Sequence, residues 1–191
     1  MKFLHLGDLH LGKTLGDFDL IEDQKYILDQ ILHITEEKSI DGVLIAGDVY
    51  DKSIPSEAAT KLLDSFLITL AAKGIKVFMV SGNHDSDARL NFGSTLFASS
   101  QIFISAVFDG TLHRQSFTDG DTEIAVYMLP FVKASQVRHY FPDEDINSYD
   151  DAVRTIIRNT LIDKRNKNIL VAHQFVAGKG EDPALAGSES V

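Results

Sequence analysis

The sequence contains no cysteine. Disulfides and thiolate-bound zinc are thereby excluded, and any metal must sit on histidine, aspartate, glutamate or asparagine. No apolar run approaches the ~20 residues of a membrane-crossing helix. The opening Met1-Lys2-Phe3-Leu4-His5-Leu6-Gly7-Asp8 reaches an aspartate too early for a signal-peptide core. These readings lead to the expectation of a cytoplasmic protein without membrane contact. Positive charge is also scarce: 18 Lys and Arg stand against 28 Asp and Glu, a net charge of -10. That balance argues against a surface built for broad adhesion to nucleic acid. It does not exclude an anionic substrate at a metal site, where bound cations reverse the local sign.

What is present is an ordinary globular composition, with 44% apolar and 24% charged residues over 191 positions. That length suits one domain with a substantial core. Residues 2–7 read as a short strand, followed by a Gly- and Asp-rich loop over 8–19. Leu20, Ile27, Ile31 and Ile34 recur at helical spacing, which predicts a helix to about Lys38. Val43-Leu44-Ile45-Ala46 is an apolar run bounded by Gly42 and Gly47, the pattern of a strand covered on both faces. Pro55 and Ser56 open a second helix with a stripe through Ala59, Leu62, Leu63, Phe66 and Leu70, ended by Gly74. A third buried strand is expected over 75–80. Strand, helix, strand, helix, strand predicts βαβ units and a parallel sheet. Further on, a helix is expected over 87–98 and strands over 102–104 and 123–129, with a polar, turn-rich stretch between those strands. A helix opened by Ser148 and Asp151 in a capping-box-like start is expected next, and then a last buried strand over 169–172. Residues 177–191 read as a loop or mobile tail.

The chemically capable residues follow the strands. Asp8 and His10 follow the first, Asp48 and Asp51 the second, Asn83, His84 and Asp85 the third, and His173 the last. In open α/β sheets ligands bind beyond the carboxyl ends of the strands. These segments therefore deliver oxygen and imidazole donors toward one sheet edge, a mixture suited to manganese, iron or zinc. Asp8 and His10 are two apart and face the same side of an extended chain. Asp48 is the candidate to bridge two cations, which together can clamp a phosphate and activate water for in-line attack. Each motif alone has a plainer reading. Gly-Asp after a strand is commonly a turn, Asp85 or Ser86 could simply cap the next helix, and a single histidine at a strand end is usually structural. The joint occurrence favours a metal centre. His5, His33, His113 and His139 are read as surface or hydrogen-bonded histidines.

Asp-x-His, Gly-Asp-x-x-Asp and Gly-Asn-His-Asp, in that order, resemble the signature of the calcineurin-like metallophosphoesterases. The flanking text, Phe3 to Lys13 and Val171-Ala172-His173-Gln174-Phe175-Val176, is similar to the SbcD-type DNA nucleases within them. The resemblance implies an α/β sandwich of two mixed sheets flanked by helices. It implies that Asp8 and His10 hold one ion, that Asp48 bridges, and that Asn83 and His173 hold the other. His84 would stabilise the phosphate or protonate the leaving oxygen, with Asp51 orienting it. It further implies two divalent ions, usually Mn2+, and cleavage of DNA ends and hairpins in repair and recombination alongside an SbcC-type ATPase. A homodimer through helices near 55–70 and 87–98 is implied too, with Leu62, Phe66, Leu90, Phe92, Leu96 and Phe97 as its apolar residues. Lys13, Lys52 and Arg89 are the cations near the motif loops.

The pattern of the resembled family ends in Gly-His-x-His, one ligand for each ion, and no histidine follows His173 here. Residues 1–176 are therefore expected to form an incomplete metallophosphoesterase domain, with the capping domain and ATPase-binding region absent. Weak or partial metal occupancy and little activity would follow, and an unpaired sheet edge would invite association. Two other functions compete: a phosphoesterase for small molecules or phosphoproteins, and a non-catalytic docking protein.

Overall fold

The computed structural model describes residues 1–176. The first sheet holds β1 (Phe3–Leu6), β4 (Gly42–Ala46), β5 (Lys76–Val80) and β6 (Ile102–Ser105) side by side in that order, all parallel. A two-stranded turn, β2 (Thr14–Leu15) with β3 (Phe18–Asp19), projects from the loop after β1. The second sheet is mixed. In it β7 (His113–Asp119) pairs antiparallel with β8 (Thr122–Leu129), and β8 pairs parallel with β9 (Lys167–Ala172). The sandwich expected from the resemblance is thus present, its first sheet parallel throughout among the described residues.

Period-two alternation explains the layering. On β4, Val43 and Ile45 face helices α1 (Ile21–Glu37) and α2 (Glu57–Ala72), while Leu44 and Ala46 face the second sheet. On β5, Val77 and Met79 take the helix side, and Phe78 and Val80 the inter-sheet side. Both strands are therefore covered on both faces, which is why they read as unbroken apolar runs. Between the sheets, Phe78 packs against Phe103 and Phe117 at centroid distances of 5.5 and 5.4 Å. Beyond the second sheet, Leu129, Val132, Val137, Ala152 and Ile156 form a third apolar cluster. It is roofed by α5 (Ala134–Tyr140) and α6 (Tyr149–Arg158).

Ser148 caps α6 as expected: its hydroxyl accepts from the Asp151 amide at 3.1 Å, and the Asp151 carboxylate returns to the Ser148 amide at 3.0 Å. Three expectations are corrected. β9, expected as a buried strand over 169–172, alternates instead, with Leu170 exposed and Val171 buried. The helix over 87–98 is broken into α3 (Asp87–Leu90) and α4 (Ser94–Ala98), because Gly93 adopts a left-handed φ of 75° between them. The turn-rich stretch before β8 contains β7, an edge strand whose mostly polar, exposed residues carry no apolar alternation. The reading of residues 177–191 as a loop lies outside the described residues. Among the described residues no helix is long and apolar enough to cross a membrane.

Candidate metal centre

The loops that follow β1, β4 and β5 meet at the carboxyl ends of those strands, and His173 joins them from β9. The fourth donor segment thus belongs to the second sheet, not to the same sheet edge as the other three. The His173 ring crosses between the layers by donating from Nδ1 to the Ala46 carbonyl at the end of β4, at 2.8 Å. A carbonyl only accepts, so this bond places the proton on Nδ1 and turns Nε2 toward Asn83 and Asp48.

The backbone is bent where the donors sit. Asp8, His10 and Asp48 have φ of 54°, 43° and 46°, a left-handed region that non-glycine residues seldom occupy. Neighbouring loops hold these bends. The amides of His10 and Leu11 donate to the carbonyls of Asp48 and Val49, both at 2.9 Å. Gln24 of α1 clamps the first loop from the other side, donating to the His10 carbonyl at 2.7 Å and accepting from the Gly12 amide at 2.8 Å. Glycine is required at two contacts. A Cβ on Gly82 would lie 2.0 Å from Asp48 Oδ1, and one on Gly47 would lie 2.5 Å from the His173 ring.

Asp48 is the centre of the arrangement and is buried. Its Oδ2 lies 3.5 Å from His173 Nε2, 3.7 Å from His10 Nε2 and 3.9 Å from His84 Nε2. Its Oδ1 accepts from the His84 amide at 2.9 Å. Burial would raise the Asp48 carboxyl, but the His173 ring and the His84 amide outweigh it and hold the carboxyl below its ordinary value. Burial likewise disfavours a charged His173, yet its bonds to Asp48 and the Ala46 carbonyl push it up to about 9.

Two groups of donors have all their ligand atoms within 4.8 Å of one another: His10, Asp48 and His84, and Asp8, Asp48 and His173. Asp48 belongs to both. Asn83 Oδ1 stands 3.1 Å from His173 Nε2. Two ligands bound cis on an octahedral ion with bonds of about 2.1 Å are about 3 Å apart, so this pair already has the spacing of co-ligands. The donor set, imidazole, carboxylate and amide oxygen without sulfur, fits divalent ions. His10 Nδ1 is buried without a hydrogen-bond partner, and Asp51 Oδ1 lies 3.5 Å from it. The centre opens into a cavity of about 430 Å³ lined in part by Asp8, Asn83, Phe131, His173 and Gln174.

Asp8, His10, Asp48, Asn83, His84 and His173 therefore all converge. Asp51 is beside them in a different attitude from the one expected. Its main-chain carbonyl, not its carboxylate, meets His84 Nδ1, at 3.2 Å, and its carboxylate is turned toward His10. Gln24 was not legible as part of the site, and Asp85, named with the third motif, was given no role beyond a possible helix cap. Asp85 does not cap α3. Ser86 holds the N-cap position, without a side-chain bond, and Asp85 accepts from backbone amides of two loops instead. His5, read as an ordinary surface histidine, lines the cavity beside Asp8.

The family model of the calcineurin-like phosphoesterases matches residues 1–186. The chain belongs to the calcineurin-like phosphoesterases. This phosphoesterase chain is also 37% identical over 184 residues to the SbcD component of the nuclease SbcCD from Staphylococcus epidermidis. That match covers 93% of the chain and 47% of the relative, so the chain spans about half the length of the curated relative it matches. Membership of the family accords with a hydrolase that uses divalent metal, and among the described residues the Asp48-centred donors are able to hold it.

Proposed function

We propose that this chain carries the nuclease centre of an SbcD-like protein, hydrolysing phosphodiester bonds in DNA with two divalent ions, Mn2+ foremost. The observation that carries the reading is the membership of Asp48 in both donor groups, which gives one carboxylate for two ions. Similarity to a nuclease component over 93% of the chain favours DNA over small phosphoesters. Two bound ions would supply charge neutralisation at the phosphate and an activated water.

The chain's own residues do the rest. Asp8 and His10, with Asp8 Oδ1 4.0 Å from His10 Nε2, would hold one position and Asn83 and His173 the other, with Asp8 also within reach of the His173 side and His84 of the His10 side. His84 keeps Nδ1 on the Asp51 carbonyl, so its Nε2 faces the centre and can hand a proton to the departing oxygen. The Asp51 carboxylate, 3.5 Å from His10 Nδ1, steadies that ring.

The same reading includes an SbcC-type ATPase partner, action at DNA ends and hairpins in repair and recombination, and a homodimer. For the dimer, Phe66 and Leu90 are buried in the chain's own core, whereas Phe92 and Leu96 are 82% and 77% exposed and free to pack on a second copy. The test is manganese-dependent cleavage of end-labelled duplex DNA beside a small aryl phosphodiester. Weak DNA cleavage, lost in His84→Ala, is expected. Hydrolysis of the small ester with DNA left intact would move the assignment to a small-molecule phosphoesterase.

A further inference from the structure

Among the described residues two carboxylates are buried, Asp48 and Asp85. Asp48 serves the metal centre, whereas the hydrogen bonds of Asp85 run to backbone amides. Its Oδ2 accepts from the amides of Val49 at 3.1 Å and Gly82 at 2.9 Å, and its Oδ1 accepts from the Tyr50 amide at 2.9 Å. Val49 and Tyr50 directly follow Asp48, and Gly82 directly precedes Asn83 and His84. One side chain thus ties the loop carrying the shared carboxylate to the loop carrying a ligand and the proposed acid. The loops are in contact with no slack, since Gly82 has no room for a Cβ beside Asp48 and the His84 amide bonds Asp48 Oδ1 at 2.9 Å.

We propose that Asp85 is a positioning residue that sets where the Asp48 carboxylate stands relative to Asn83 and His84. The inference rests on the two-ion reading of the centre. Only a carboxylate suits the place: three N–H groups converge on it, and a carboxylate offers two oxygens that both accept. The amide of asparagine has nearly the same shape but presents N–H to at least one of those donors. The loops then separate or rotate, and Asp48 loses the attitude that lets it face both ion positions. Residues that orient ligands from behind typically change metal affinity by about 10- to 100-fold when replaced.

The test compares the chain, Asp85→Asn and Ile156→Val, the last a core change in α6, which carries none of the donors. Each is checked for folding by circular dichroism, then titrated with Mn2+ and followed by calorimetry and electron paramagnetic resonance. Two ions sharing a carboxylate give an exchange-coupled signal, while separate ions give the six-line signal of isolated Mn2+. The expected result is a coupled signal in the chain and in Ile156→Val. In Asp85→Asn, affinity should fall about 10- to 100-fold and the coupling should be lost. A folded Asp85→Asn with unchanged affinity and coupling overturns the proposal. Absence of any coupled signal in the unaltered chain instead sinks the two-ion reading beneath it. Should Asp85→Asn not fold, Asp85→Ser, which leaves room for water to serve the three amides, is put to the same two outcomes.

Discussion

His173 Nε2 stands 3.1 Å from Asn83 Oδ1, although 90 residues and two different sheets separate them. The Ala46 carbonyl fixes the ring from behind, so the second sheet delivers a donor already aimed at the end of the first. His173→Ala removes this donor and leaves the rest in place. Manganese affinity is expected to fall by more than about tenfold with the fold intact. Calorimetric titration with parallel circular dichroism measures both, and unchanged affinity would remove His173 from the centre.

Gly82→Ala is expected to be among the most damaging single-methyl changes in the protein, because its Cβ would lie 2.0 Å from Asp48 Oδ1. The cost should reach about 3 kcal/mol, the upper range for overpacking. Gly7→Ala is the matched control. Only the Ala46 carbonyl, at 3.8 Å, comes near the added methyl, so stability should hardly change. Urea unfolding of both variants measures the difference.

Gln24→Leu keeps the bulk of the clamp and removes its hydrogen bonds. It leaves the Gly12 amide without its partner and takes one of two donors from the His10 carbonyl, which keeps the Lys13 amide. A loss of about 1–3 kcal/mol is expected, with faster hydrogen exchange confined to the loop carrying Asp8 and His10. Unchanged exchange there would show that the loop is held by its bonds to Asp48 and Val49 alone.

Much of this was written in the sequence where local patterns exist. The apolar runs of β4 and β5, the helical stripes of α1 and α2, and the Ser148 cap depend on neighbours within a few positions. The donors, too, announce themselves by following strands. The missed features have non-local causes. β7 is an exposed edge strand held by register with β8, so its residues need no apolar alternation. Asp85 sits where a helix cap is expected, and only the return of the Val49–Tyr50 loop, 35 residues earlier, reveals its partners. Gln24 is one polar residue on a helix until the loop twelve residues before it folds back.

At the start of α6, Asp151 accepts from Ser148 and is held below its ordinary value by that hydroxyl and by the Asn147 amide. A depressed carboxyl contributes stability above its unfolded pKa of about 3.9 and loses it as the pH falls through the lower folded value. Asp151→Asn lacks this dependence, so the stability gap between the protein and the variant should close on acidification. Parallel curves down to low pH would contradict the assignment. Ser148→Ala should cost about 1 kcal/mol at neutral pH through loss of the cap.

The most direct measurement is anomalous diffraction from crystals of the chain saturated with Mn2+, alongside Asp48→Ala. The expected result is two peaks about 3.5–4 Å apart on either side of the Asp48 carboxylate, both absent in Asp48→Ala. A single peak away from Asp48, or two peaks that survive its removal, would contradict a shared two-ion centre.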